Sequence, residues 1–355
     1  MPQPLRHIHS SSGHLEWGVM TPASTGKIAI VAIGRNEGER LKSCLRAALQ
    51  GAATVVYVDS GSVDGSADYA RSVGCSVVEL DESRPFSAAR ARNEGFACAM
   101  EHAPDAAYIQ FVDGDCDLAE GWLHRGIEEL NNRDDVAMVR GHLREINPQA
   151  SVYNRICDLE WQQTPGEIGA CGGIFMMRAD VFSAVGGFRP DVIAAEDDEF
   201  CVRVRQQGWK IQMIDAPMAS HDAAILRFSQ WWRRAQRTGH AYAQVAALHG
   251  QGEERYFVAA RRKVWIWGLI LPVAALVLAP FTRGISLAAL LCAYAMQLVR
   301  IFLGLKKRGW KSDDAWIDAF FTVISRFPGI QGLLGYHWRH GRGHAPKIIE
   351  HKRSS

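Results

Sequence analysis

The chain has eight cysteines but no CxxC pair, which excludes a zinc knuckle and gives no sign of a disulfide framework. Cys44, Cys75, Cys98, Cys116, Cys157, Cys171, Cys201 and Cys292 are scattered, as free thiols in a reducing compartment would be. No long apolar run opens the sequence, which argues against a secretory signal. Net charge is only +2 over 355 residues, so no global field draws nucleic acid. No Pro/Gly/Ser linker divides the middle of the chain, so one continuous domain is expected there. No persuasive Ser-His-Asp or Cys-His set is present for nucleophilic catalysis.

The chain does contain alternating strand and helix patterns. Lys27–Ile33, Val55–Val58, Ser76–Leu80 and Tyr108–Val112 read as strands. Leu41, Leu45 and Leu49 mark a helix between the first two, and helices are also expected near Ser66–Val73 and Phe86–Glu101. This alternation predicts an α/β domain with a mostly parallel sheet covered on both faces. Ligands of such sheets gather beyond the carboxyl ends of the strands, where Asp59 and Asp113 fall. Further along, Ala119–Asn131 and Asp197–Gln207 read as helices, Val136–Gly141 and Ile211–Ile214 as extended, and Gly169–Gly173 as a flexible turn. Residues 1–26 read as a loosely ordered tail carrying His7, His9 and His14, and residues 27–255 as the α/β domain.

Positive charge is unevenly placed. Arg255–Ser312 holds ten Lys or Arg and no Asp or Glu, an asymmetry that anionic membrane lipids attract. Within it, Val264–Phe281 is an uncharged stretch interrupted by Pro272 and Pro280, and Ile285–Val299 is a second apolar stretch. Residues 256–311 therefore predict a membrane-associated helical hairpin. If both arms span, the flanking bases place the enzyme body in the cytoplasm. If the prolines bend the pair, it enters one leaflet and returns; a soluble core pair is the third reading. Residues 312–355 read as an amphipathic interfacial segment broken at Pro328-Gly329, then a basic tail, with packing back onto the catalytic domain as the alternative.

Two acidic clusters carry the chemistry. Asp113-Gly114-Asp115 lets two carboxylates approach one cation, and hard oxygen ligands suit Mg2+ or Mn2+ held against a diphosphate. Glu196-Asp197-Asp198-Glu199 opens a helical pattern, so its members must face different ways; one can serve as a general base and another can pair with Arg203. A plain acidic helix start is the competing account. His221 can complete a metal shell. Asp59 can accept from a base N–H or a ribose hydroxyl, while Asp64 suits a helix cap. Arg90 and Arg92 can neutralise phosphate. Gly172-Gly173 permits close backbone approach to a sugar or is only a tight turn. Trp231 and Trp232 with Arg233, Arg234 and Arg237 can grip a diphosphate or lipid phosphate, or anchor an interfacial helix.

In this order the motifs resemble the inverting glycosyltransferase family 2, whose members have the GT-A fold. The resemblance covers about residues 27–240, and the hydrophobic hairpin is similar to that of membrane-attached bacterial members. It implies that Ile33, Arg35 and Glu37 line the nucleotide pocket and that Asp59, in Asp59-Ser60-Gly61-Ser62-Val63-Asp64, reads uracil. Ala91-Arg92-Asn93-Glu94-Gly95 matches a further element, and Asp113-Gly114-Asp115 matches the metal motif with Asp115 as direct ligand. Gly172-Gly173, Arg178 and Gly186-Gly187-Phe188 match the acceptor-side pattern, Glu196-Asp197 makes Asp197 the implied base, and His221 fits the metal-contacting histidine.

Two departures stand out. Ile33 and Arg35 replace the usual Pro and Tyr. Gln230-Trp231-Trp232-Arg233-Arg234 departs from the Gln-x-x-Arg-Trp of processive synthases, which favours a single addition per encounter. The resemblance implies a UDP-sugar donor, a divalent cation, a lipid-linked acceptor and the cytoplasmic face of a bacterial inner membrane. A polyprenyl-phosphate glycosyltransferase and a nucleotidyltransferase are the alternatives.

Overall fold

The computed structural model describes residues 28–52 and 54–342. The expected tail with His7, His9 and His14, and the basic end beyond Arg342, lie outside the described residues. The first strand, β1 (Ile28–Gly34), is apolar from Ile28 to Ile33, and its alternate side chains enter two cores. Ile28, Ile30 and Ala32 join one; Ala29, Val31 and Ile33 join the other. A strand apolar on both faces belongs in the middle of a covered sheet. The chain continues through α1 (Glu39–Gly51), β2 (Thr54–Asp59), α2 (Ser66–Ser72), β3 (Ser76–Glu79), α3 (Ala88–His102) and β4 (Tyr108–Asp113). β1 pairs in parallel with β2 and β4, and β2 with β3.

Register brings the functional edge together. Gly34 lies opposite Asp59, and Ile33 opposite Asp113, so the acidic ends of β2 and β4 flank the end of β1. On one face α1 buries Leu41, Cys44, Leu45 and Ala48, the stripe expected of a helix on a sheet. On the other, α3 lies unusually low. A Cβ on Gly95 would stand 2.4 Å from Val31 Cγ1 and 2.7 Å from Val58 Cγ2, so only glycine permits that approach.

The second half runs β5 (Cys116–Leu118), α4 (Trp122–Asn132), β6 (Val136–Glu145), α5 (Val152–Trp161), β7 (Gly166–Glu167), β8 (Phe175–Arg178), α6 (Ala179–Val185), α7 (Glu196–Gln206) and β9 (Lys210–His221). The sheet order is β3-β2-β1-β4-β8-β6-β9-β5, with β7 on β9. The expectation of a mostly parallel sheet holds for the first half only. β8 is antiparallel to both β4 and β6, and β5 and β7 are antiparallel to β9, so the sheet is mixed. The strands responsible are two to four residues long, too short for alternation to reveal them.

Beyond the sheet come α8 (Phe228–His249), α9 (Val258–Trp265), a π-helical turn at Ile266–Ile270, α10 (Leu271–Leu278), α11 (Ile285–Lys307), α12 (Ser312–Ile324) and α13 (Arg326–His340). The π turn lies just before Pro272, whose ring would otherwise press on the carbonyl four residues back, at Gly268. Where a helical hairpin was expected, the first apolar stretch is an interrupted helix and only the second is unbroken. Among the described residues, only α11 is long and apolar enough to cross a membrane by length and composition, and none of its most apolar window is buried.

Pro328 does not break the structure as its position suggested. The break falls at Ser325, and Pro328 sits in the first turn of α13, where a missing N–H costs little. α13 then crosses α8 at backbone contact. A Cβ on Gly239 would stand 2.0 Å from Gly329 O, and one on Gly332 1.9 Å from Gln236 O. α12 packs on the catalytic sheet's α5 through Phe321 against Tyr153, with Arg155 Nε donating to Asp314 at 2.5 Å. The C-terminal helices therefore fold back onto the catalytic domain.

Candidate active site

The loops above the strand ends are fastened to one another. Asn36, at φ 54°, donates its N–H to Ser62 Oγ at 2.9 Å and accepts from the Val63 N–H at 2.8 Å. Asp64 accepts from the Gly38 N–H and the Ser66 N–H, so it caps as its type suggested. Asp59 is buried, and its carboxylate accepts from the Tyr57 hydroxyl and the Gly61 and Ser62 N–H groups. Those bonds hold the turn and leave lone pairs for one further donor. Arg35 is exposed with its guanidinium 5.4 Å from the Phe86 ring, Glu37 pairs with Arg40 at 2.7 Å, and Gly114 N–H donates to Ile33 O at 2.7 Å.

Below this rim lies a cavity of about 450 Å3, lined by Arg92, Asp113, Arg140, Gly172, Gly173, Asp197, His221, Arg234 and Arg237 among others. Arg92 is 2% exposed and bridges two carboxylates, Asp113 Oδ1 at 2.8 Å and Glu196 Oε1 at 2.9 Å. It thereby joins strand β4 to helix α7 across the cavity floor. Gly173 is required there, because a Cβ would stand 2.5 Å from Arg92 Nη2 and 3.2 Å from Asp113 Oδ2. The Gly172-Gly173 turn thus makes room for this ion bridge, an account that the sequence alone does not offer. Asn93, next to Arg92, exchanges two 2.8 Å bonds with the Phe188 backbone, and Gly187 cannot carry a Cβ beside it. Arg178 instead secures carbonyls at the end of α4, and Arg90 binds Glu94 and the loop carbonyls of Asp81 and Arg84.

The four acids of α7 face four ways. Glu196 takes Arg92, with Arg237 Nη2 3.8 Å from its other oxygen; Asp198 accepts from Tyr256 at 2.6 Å; Glu199 pairs with Arg203 at 2.8 Å and His249 at 2.9 Å. Asp197 lines the cavity together with Glu196 and Asp198, and alone of the four has no ion pair or side-chain hydrogen bond among those described. Burial holds the proton on its carboxyl, Asp198 and Glu196 add repulsion, and its pKa is pushed up to about 7 despite Arg92 nearby. Ala195, at φ 55°, turns the chain immediately before these acids.

On the β5–β9 side, Cys116 lies opposite His221, and His221 Nε2 is 3.2 Å from Asp115 Oδ2. Single donor atoms of Asp115, Cys116 and His221 all lie within 4.8 Å of one another. Burial raises the Cys116 thiol well above its usual range and lowers His221. The Asp115 carboxylate suits a hard cation such as Mn2+ or Mg2+, and the His221 imidazole favours Mn2+ of the two. Asp113 is outside this trio and bonded to Arg92, and Asp115, 5% exposed, is not among the residues that line the cavity.

The tryptophans of α8 do not reach the cavity together. Trp231 is buried against Tyr153 and Phe321, and Trp232 donates to Gln331 of α13 at 2.9 Å, so both attach the C-terminal helices. Arg233 is exposed, while Arg234 lines the cavity and pairs with Glu160 at 2.7 Å. Two wall residues escaped sequence reasoning. Trp161 packs on the His221 ring with centroids 4.7 Å apart. Arg140 interrupts the apolar strand Val136–Val139, and that break in pattern was its available signal.

The glycosyl transferase family 2 model matches residues 29–186, and a model of the N-terminal domain of galactosyltransferase matches residues 162–224. The glycosyltransferase AglE of Haloferax volcanii is 24% identical over 258 residues, 69% of this chain and 81% of that protein. The mannosyltransferase PcManGT of Pyrobaculum calidifontis, solved with GDP-Man and Mn2+, superposes with TM-score 0.54 at 18% identity, covering 88% of this chain and 87% of that one. Residues 1-349 of S. aureus TarS superpose with TM-score 0.50 at 15% identity, covering 90% and 92%.

The mixed sheet shared with these structures is GT-A-like in fold, with acidic strand ends over one cavity. The family 2 match and the candidate metal-binding cluster together support a metal-dependent glycosyltransferase.

Proposed function

We propose that the chain transfers one sugar from a nucleoside diphosphate donor, a UDP-sugar, to a hydroxyl of a lipid-linked saccharide or glycolipid. The observation that carries this reading is Asp197: a cavity-facing carboxyl with a pKa near 7, poised to accept a proton at neutral pH. It takes the proton from the acceptor hydroxyl as that oxygen attacks the anomeric carbon, the bond to the diphosphate breaks, and configuration inverts. A phosphate acceptor is already anionic and needs no base, which favours a hydroxyl over the polyprenyl-phosphate alternative.

Arg92 fixes Asp113 and Glu196 and keeps the floor of the site in place. Asp115 and His221 would hold Mn2+ or Mg2+, which offsets charge on the departing diphosphate when bound. Asp59 and the fastened loops face the base and ribose. The exposed apolar surface of α11, with Leu291 at 70% and Met296 at 66%, supports attachment to membrane lipids and hence a lipid-borne acceptor.

A donor screen tests this reading. UDP- and GDP-sugars, both included because the Pyrobaculum relative was solved with GDP-Man, are offered with Mn2+ and membrane lipid extract, and products are read by mass. The expected product is a glycan-lipid heavier by one sugar, with Asp197→Asn retaining donor binding and losing nearly all transfer. Normal transfer by D197N would remove the base assignment, and release of pyrophosphate would replace the reaction with nucleotidyl transfer.

A further inference from the structure

Arg140 is the buried cavity arginine with no carboxylate within ion-pair distance among the described residues, Asp197 acting on it only from further off. It is 4% exposed, makes no ion pair among the described residues, and its Nη2 has no hydrogen-bond partner. Its one bond among them is a long one, from Nε to Gly141 O at 3.3 Å. Every other arginine in the wall is matched: Arg92 by Asp113 and Glu196, Arg234 by Glu160, Arg237 by Glu196. A buried guanidinium stays charged, and leaving it unmatched is strongly unfavourable, so such a group calls for an anion from outside the chain.

Position identifies the molecule that brings it. A Cβ built on Gly172 would stand 3.9 Å from Arg140 Nη1 and 4.0 Å from Asp197 Oδ2, so both groups border the same small space. The Asp115–His221 pair lies on strands β5 and β9 instead. We propose that Arg140 is a specificity-determining residue that binds an oxyanion, carboxylate or phosphate monoester, carried by the acceptor beside the hydroxyl that Asp197 deprotonates. The planar guanidinium fork matches either oxyanion through two donors. This rests on the reading of the cavity as a transferase site with Asp197 as base.

The test uses the full chain in detergent, first saturated with UDP and Mn2+, then titrated calorimetrically with glucuronate, glucose 6-phosphate or glucose. Saturable binding of an acidic sugar, at least tenfold tighter than glucose, is expected, and the better of the two acids distinguishes carboxylate from phosphate. In Arg140→Gln this preference should disappear while UDP·Mn2+ affinity stays within twofold, and Arg140→Lys should keep part of the preference. Retained UDP·Mn2+ binding certifies that each variant folds; if R140Q does not fold, R140K carries the comparison, with at least a threefold loss expected. Equal binding of glucose and both acids, or unchanged preference in the variants, overturns the proposal while leaving the transferase reading intact. A wild-type chain that binds no nucleoside diphosphate with Mn2+ fails the transferase reading itself.

Discussion

Replacing a helical glycine by alanine normally stabilises a helix by about 1 kcal/mol. At Gly332 the opposite is expected. The new Cβ would stand 1.9 Å from Gln236 O and 2.8 Å from His240 N, both backbone atoms of α8, so no side-chain rotation relieves the clash. α13 must lift from α8, a repacking that costs about 3 kcal/mol. Net of the propensity gain, the variant should lose about 2 kcal/mol, lowering Tm by roughly 3 °C. Gly335→Ala is the control on the same helix, because its Cβ would meet only the mobile end of Arg339, at 3.4 Å. Thermal unfolding of the detergent-solubilised chain, followed by tryptophan fluorescence, should show G332A below wild type and G335A at or above it. Equal Tm values for the two variants would refute backbone contact at this crossing.

Three further outcomes are expected. With Asp197 holding its proton up to about pH 7, transfer at saturating donor should fall as pH drops through that value, with roughly a tenth of the rate left one pH unit lower; a flat profile from pH 5 to 8 contradicts it. Asp115→Ala should weaken Mn2+-dependent UDP binding at least tenfold by calorimetry while leaving metal-free UDP binding unchanged; intact metal dependence would remove Asp115 from the ligand set. His240, buried near Arg237 and Arg339, has its pKa lowered from 6.5 to about 4. The neutral imidazole therefore stabilises the fold fully above pH 6.5, and that contribution, about 3 kcal/mol, is lost as pH falls towards 4. His240→Gln should flatten this acid limb in urea titrations, and an unchanged limb would refute the assignment.

The parallel half of the sheet was legible because β1, β2 and β4 are apolar runs that stop at a turn or an acid, and period and punctuation coincide there. β8, with four residues of which three are Phe or Met, has no alternation to read, and so the antiparallel half was missed. Glu196–Glu199 announced a division of labour, but which acid is left without an ion pair depends on Arg92, Tyr256 and His249 arriving from distant stretches. Trp231 looked like a ligand platform beside its arginines. Packing decides otherwise, since Phe321 lies ninety residues later and buries it. Pro272 marked a disturbance in the first apolar stretch, although not that the helix would widen rather than bend.

The mutual fastening of Asn36 with Ser62 and Val63, and of Gly38 with Asp64, couples two loops from separate βα units. Neither loop can be exchanged alone: a new first loop lacking the amide of Asn36 would strand the partners on the second, and the reverse holds for Ser62. Chimeras made with relatives should therefore transplant both segments together, since the bonds between them are inherited as a unit.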